Sequence, residues 1–219
     1  MINSASIINC NFLEMGKQVA ELVEGGAKFF HIDLMDGHYV PNLCFPAKII
    51  SELKEKYPQI VMDIHMMVTN PIDYVPELKE RGADYVCFHS DSTNFVIRTL
   101  KAIRDNGMKA GIAINPSQRI DHIEPFIKLL DMVLLMAVEP GFAGQKFLDG
   151  TLDRLKELSD LRKKHNCEFL ISVDGGVTYE IGHKCKELGA DVIITTVHTV
   201  FNQPEGILEA CRRFEREFG

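Results

Sequence analysis

The chain has no apolar run approaching the ~20 residues needed to span a bilayer, no Cys-x-x-Cys pair, no excess of basic charge and no low-complexity linker. Each absence excludes a class. No membrane partner is expected, and Met1-Ile2-Asn3-Ser4 lacks the basic-then-apolar pattern of a signal peptide. The six cysteines (Cys10, Cys44, Cys87, Cys167, Cys185, Cys211) are scattered through 219 residues. Disulfide scaffolds are short and cysteine-dense, so reduced thiols filling apolar space in a cytoplasmic protein are expected instead. A net charge of −7 and a pI near 5.6 argue against a nucleic-acid partner, which binds through a basic face. With no linker to divide it, the chain reads as one domain over residues 1–219.

What is present is a strand-then-helix alternation running from end to end. Apolar strand-like runs occur at Ser6–Asn9, Phe29–Asp33, Ile60–His65, Tyr85–His89, Lys109–Ile114, Met132–Ala137, Phe169–Asp174 and Val192–Thr195. Between them lie segments of helical period with charged outer faces, among them Leu13–Glu24, Ala47–Lys56, Tyr74–Arg81, Phe95–Asn106, Leu152–Lys164 and Ile207–Glu217. Alternating strands and helices imply a parallel sheet. Eight units favour an α/β fold of the closed (β/α)₈ TIM-barrel type over an open, doubly wound sheet. Active sites of such barrels sit at the C-terminal ends of the strands. The polar residues fall there: His31, Asp33, His65, His89, Asn115 and Asp174 all stand at the ends of their apolar runs.

The stretch His31-Ile32-Asp33-Leu34-Met35-Asp36-Gly37-His38 is answered about thirty residues later by Asp63-Ile64-His65-Met66-Met67. In a strand, residues i, i+2 and i+4 share a face. His31, Asp33 and Met35 therefore line one face of one strand, and Asp63, His65 and Met67 one face of another. Two imidazoles and two carboxylates, His31, Asp33, His65 and Asp174, suit one divalent ion of the zinc, manganese, iron or cobalt type. Asp33 and Asp174 belong to strands two and seven, separated by strands eight and one. They would approach a ligand from opposite sides, the geometry for taking a proton from one face of a carbon and returning one to the other. Met35, Met67 and Met136 recur on the same faces as a water-poor, polarisable cover. Glycines mark the other half: Glu139-Pro140-Gly141-Phe142-Ala143-Gly144-Gln145 follows strand six, and Asp174-Gly175-Gly176 follows strand seven. Barrels often bind phosphate with backbone amides of their last loops. His89 could face the site; His122, His165 and His183 read as surface residues.

Four motifs carry a resemblance to a known family. These are His-Ile-Asp-Leu-Met-Asp-Gly-His-Tyr-Val-Pro-Asn (His31–Asn42), Asp-Ile-His-Met-Met-Val (Asp63–Val68), Met-Ala-Val-Glu-Pro-Gly-Phe-Ala-Gly-Gln-Lys-Phe (Met136–Phe147) and Val-Asp-Gly-Gly-Val (Val173–Val177). Together, in order and across essentially the whole chain, they resemble ribulose-phosphate 3-epimerases. The resemblance implies a barrel that inverts one carbon of a ketose phosphate through an enediolate, and a homo-oligomer. It implies Asp33 and Asp174 as the acid/base pair and His31, Asp33, His65 and Asp174 as metal ligands. Ser6 matches a substrate-contacting serine, and the phosphate would rest on amides near Gly144, Gly175 and Gly176. A related decarboxylase/aldolase group needs an Asp-x-Lys-x-x-Asp pattern, but Met35 follows two after Asp33 and no lysine enters that run. A third reading is a non-catalytic sugar-binding barrel.

One stretch departs from the family. Its Gly-Ser or Gly-Thr-Ser turn after strand eight is replaced by Ile194-Thr195-Thr196-Val197-His198-Thr199-Val200-Phe201. The spacing fits the longer turn of allulose-6-phosphate 3-epimerases, with Thr196 where their glycine stands. A β-branched residue resists positive φ. Either the turn takes another conformation, with Thr196, His198 or Thr199 donating to the phosphate, or the substrate differs at that end.

Overall fold

In a computed structural model describing residues 1–219, eight parallel strands close into a barrel in chain order. They are β1 (Ile2–Ser6), β2 (Phe29–Met35), β3 (Val61–Met67), β4 (Tyr85–His89), β5 (Lys109–Ile114), β6 (Met132–Met136), β7 (Leu170–Asp174) and β8 (Val192–Thr195). Closure through Ile2 of β1 beside Val192 of β8 excludes the open doubly wound sheet. Helices α1 (Met15–Glu24), α2 (Lys48–Lys56), α3 (Val75–Arg81), α4 (Val96–Asp105), α5 (Thr151–Lys164), α6 (Tyr179–Glu187) and α7 (Ile207–Phe218) surround it. Between β5 and β6 the crossover is a 3₁₀ segment, Ile120–Leu129, with Pro125 inside it; proline has no amide to give an α-helical ladder. No helix is long and apolar enough to cross a membrane.

The first strand lies earlier in the chain than the apolar run Ser6–Asn9 suggests. Ile7–Asn9 is a 3₁₀ turn, not part of the strand. Asn3-Ser4-Ala5-Ser6 looks too polar for a strand because its inward positions, Ser4 and Ser6, serve a polar interior, while Ala5 faces the helices. Ser6 therefore ends β1 at the barrel's mouth.

Strand alternation separates two apolar regions. Phe30, Ile32, Leu34, Met62, Ile64 and Met66 point outward into the helix layer, within one cluster of 50 buried residues. Inside the barrel the apolar cluster has 9 buried members, among them Phe29, Met132, Leu134 and Val192. Most of the hydrophobic stabilisation therefore lies outside the barrel lumen, so the lumen can carry polar groups.

At the opposite end from the mouth, one device repeats every second unit. Asp84, just before β4, accepts from the Met62 amide of β3 (2.8 Å) and from Lys54 of α2 (2.7 Å). Asp131, just before β6, accepts from the Ala110 amide of β5 (3.0 Å) and Arg104 of α4 (2.8 Å). Asp191, just before β8, accepts from the Ile171 amide of β7 (2.8 Å) and pairs with Arg162 of α5. Each carboxylate thus ties two strands and a helix together far from the mouth. Asp191→Ala strips the Ile171 amide and Arg162 of their shared acceptor. Hydrogen bonds to charged groups are worth roughly 1.5–3 kcal/mol, so urea denaturation should show a loss of that order with kcat unchanged.

Candidate active site

The register of two strands assembles the centre of the site. β2 and β3 pair in parallel with His31 beside Asp63 and Asp33 beside His65. A His-x-Asp strand thus lies against an Asp-x-His strand, and all four side chains point into the lumen, each at most 6% exposed. Asp174 enters from the end of β7. Donor atoms of His31, Asp33, His65 and Asp174 lie within 4.8 Å of one another.

Each histidine uses a different nitrogen. Asp63 Oδ2 lies 2.9 Å from His31 Nδ1 and also accepts from the Ser4 hydroxyl at 3.1 Å. An ionised carboxylate only accepts, so Nδ1 carries a proton, and Nε2 is the nitrogen left to offer a lone pair to a cation. His31 Nε2 is buried without a hydrogen-bond partner, 3.5 Å from Asp33 Oδ1 and 3.9 Å from Asp174 Oδ2. His65 turns its Nδ1 to the same carboxylates, 3.2 Å from Asp33 Oδ1 and 3.9 Å from Asp174 Oδ2. Asp33 Oδ2 accepts from the Ser6 hydroxyl at 3.0 Å. An orphaned, buried imidazole nitrogen facing two carboxylates is a donor set that fits a divalent cation.

The two carboxylates are electrostatically unlike. Burial alone would raise Asp33, but the neighbouring His31 charge and the hydrogen bond from His65 hold it far below the usual carboxylate range. Burial pushes Asp174 upward; His31 opposes this and the Asp33 charge adds to it. His31 is held well above its ordinary value by Asp33 and Asp63 in spite of its burial. In the metal-free protein Asp33 is therefore held ionised while Asp174 is pushed toward its protonated form, environments that drive the two carboxylates apart as acid/base pairs require.

The cleft above this centre encloses about 480 Å³ including its open mouth, a size suited to a small ligand. Ser6, Asp33, His65 and Asp174 form its floor, with Met35, Met67 and Met136 as its apolar wall. Gly141, Gly144, Gly175, Gly176 and Thr196 are among the other lining residues, and no lysine or arginine is. At Gly176, φ is +63° and a Cβ would stand 2.3 Å from the Phe147 nitrogen, so only glycine lets the loops after β6 and β7 pack together.

Thr196 raises no conformational conflict. Its φ of −134° is extended backbone, open to any residue, and it starts a π-helical turn over Val197–Phe201. The Thr196 amide donates to the Thr199 hydroxyl (3.0 Å), so that amide and Thr199 Oγ1 satisfy each other within the turn. His198 lies in the same turn but is not among the cleft's lining residues.

Several groups had no role assigned from sequence. Asp63 shares a face with His65, yet its partnership with His31 needs the β2–β3 register. The β2–α2 loop crosses the mouth as a strap. Asp36 accepts from the amides of His38, Tyr39 and Thr69 and from the Thr69 hydroxyl, at 2.8–2.9 Å. Asn42 reaches across to donate to the Gly141 carbonyl (2.8 Å). Asn115 is buried and donates to Tyr39 of that strap (2.7 Å) and to Asp91 (3.0 Å). His89 is fully buried at the end of β4, with Nε2 2.8 Å from His65 Nε2. His183 is exposed, whereas His122 and His165 are half-buried and paired with Ser90 and Glu124.

Comparison with known proteins identifies relatives of this chain. The family described as Ribulose-phosphate 3 epimerase family matches residues 2–201. Ribulose-phosphate 3-epimerase from Aquifex aeolicus (strain VF5) is 36% identical over 189 residues, 86% of this chain and 85% of that protein. The enzyme of the same name from Escherichia coli (strain K12) is 35% identical over 201 residues, covering 91% and 88%. Among solved structures, 3-hexulose-6-phosphate synthase from Salmonella typhimurium superposes with a TM-score of 0.77 at 16% identity, covering 99% of this chain and 98% of that one. KGPDC from Streptococcus mutans gives 0.74 at 14%, covering 99% and 96%. At such identity these two show a common fold and nothing more. The sequence matches, spanning the strands that carry His31, Asp33, His65 and Asp174, establish that this chain belongs to the ribulose-phosphate 3-epimerase family and is a sugar-phosphate epimerase, an isomerase.

Proposed function

We propose that this chain is a metal-dependent 3-epimerase interconverting ribulose 5-phosphate and xylulose 5-phosphate. The observation that carries the reading is the single cluster of two imidazoles and two carboxylates, with Asp33 and Asp174 entering from β2 and β7. The relatives' names, which specify ribulose phosphate, support a pentulose phosphate as the substrate. His31 Nε2, Asp33, His65 Nδ1 and Asp174 would hold one divalent ion of the zinc, manganese, iron or cobalt type. Such an ion supplies positive charge beside the oxyanion that forms next to the reacting carbon.

The chain's own residues do the rest. One carboxylate removes the C3 proton from one face, leaving an enediolate. The other, protonated, delivers a proton to the opposite face, and the roles exchange in the reverse direction. Ser6 fixes the orientation of Asp33 through its Oδ2. Met35, Met67 and Met136, each at most 8% exposed, keep bulk water from the intermediate. With no lysine or arginine in the cleft, the phosphate would rest on backbone amides near Gly144, Gly175 and Gly176, where positive φ turns the chain tightly. The Thr196 hydroxyl stands at the same end.

An assay offering ribulose 5-phosphate, allulose 6-phosphate and the unphosphorylated sugars tests the reading. Highest kcat/KM for ribulose 5-phosphate is expected. Preference for allulose 6-phosphate would reassign the substrate, and absence of turnover on all of them by metal-loaded protein would leave a sugar-binding barrel. Asp33→Asn and Asp174→Asn should each lower kcat by at least the roughly 10²–10⁴-fold that general acid/base catalysis provides, with circular dichroism unchanged. Near-native turnover by either variant with metal bound would refute the two-carboxylate mechanism. Dialysis against a chelator should abolish activity, and Zn²⁺, Mn²⁺ or Co²⁺ should restore it; full activity in a preparation shown metal-free by elemental analysis would rule the metal out.

A further inference from the structure

We propose that His89 is a positioning residue for metal retention, holding the His65 ring so that His65 Nδ1 faces the carboxylate pair. The inference rests on the metal reading above and extends it to a side chain that touches neither substrate nor metal.

The geometry begins with a contact between two nitrogens. His65 Nε2 and His89 Nε2 stand 2.8 Å apart inside the barrel, with both rings fully buried. Two imidazole nitrogens at that distance share one proton, so one donates and the other accepts. His65 Nδ1 can give its lone pair to a cation only if the ring's proton is on Nε2. His89 Nε2 must then accept, which places the His89 proton on Nδ1.

The surroundings of His89 suit that tautomer. Its Nδ1 is buried with no hydrogen-bond partner, and so is Asn115 Oδ1. Asn115 is a polar neighbour of the His89 ring, so an unpartnered ring nitrogen and an unpartnered carbonyl oxygen lie near one another in the interior. The carboxamide is oriented from its other end, where Nδ2 donates to Tyr39 Oη (2.7 Å) and Asp91 Oδ2 (3.0 Å). Tyr39 in turn donates to Asp91 Oδ1 (2.8 Å), and its ring covers His89 with centroids 4.7 Å apart. Support thus reaches His89 through the Tyr39 ring, which Asn115 and Asp91 hold in place, and passes from His89 to His65. His31 receives the same service from Asp63. Outer partners of metal-binding histidines fix both tautomer and ring angle, and here one of the two partners is another histidine.

Two variants and one measurement on the unmodified protein test this. His89→Gln keeps an acceptor oxygen close to the position of Nε2, whereas His89→Phe fills the space and cannot accept. Co²⁺ affinity is read by chelator competition, with thermal melts of each metal-free protein reporting folding. His89→Phe should bind Co²⁺ roughly 10–100-fold more weakly than the parent, and His89→Gln should recover most of that loss. Independently of any variant, ¹⁵N spectra of the histidine rings in Zn²⁺-loaded parent should place the protons on His65 Nε2 and His89 Nδ1. The opposite tautomers, or equal Co²⁺ affinity for the Phe variant and the parent, would overturn the inference alone. A parent that binds neither ion would overturn the metal reading and this inference with it.

Discussion

The pairing register between β2 and β3 is the constraint on which the site depends. Side chains alternate faces along a strand with a period of two, so a slip of one residue would turn His31, Asp33 and Met35 out of the lumen. The same slip would drive Phe30, Ile32 and Leu34 inward. The outward residues pack in the large helix-side core, and that packing holds the register. Hydrophobic burial outside the barrel thereby sets atomic distances inside it.

Burying three aspartates and three histidines in one lumen is expensive unless each finds a partner. Most do: Asp63 with His31 and Ser4, Asp33 with Ser6 and His65, and His65 with His89. Of the two ring nitrogens left without a partner, His89 Nδ1 and His31 Nε2, the second faces Asp33 and Asp174. Residual cost thus collects at the place where a cation would remove it. The aspartates at the far end, Asp84, Asp131 and Asp191, serve the architecture alone, through backbone amides and bases from the helices.

Much of this was legible from the chain. Eight apolar runs with polar termini gave the barrel and located its working end, and alternation alone placed His31, Asp33 and His65 on inward faces. What failed to show had physical reasons. The first strand was displaced because its inward residues are serines, which erase the hydrophobic signal. The role of Asp63 depends on which residue of β2 lies beside it, and no pattern within one strand contains that. His89 gave only a weak hint, because its meaning lies in a contact with another strand's histidine. The threonine after β8 pointed either to another loop conformation or to another substrate, and the turn does take another conformation, a π-helical path in which Thr196 stays extended.

The lack of any lysine or arginine in the cleft bears on how substrate arrives. The chain carries a net charge of −7, and Asp33, Asp174 and Glu139 line the mouth and floor. A divalent cation would offset two of these carboxylates and leave Glu139 at the mouth. A doubly charged sugar phosphate would gain nothing from long-range attraction and would meet mild repulsion until the loop amides engage it. Added salt screens that repulsion over a Debye length of about 10 Å at 0.1 M. The encounter rate would then rise with ionic strength, the reverse of an enzyme that draws its anion in through a basic funnel.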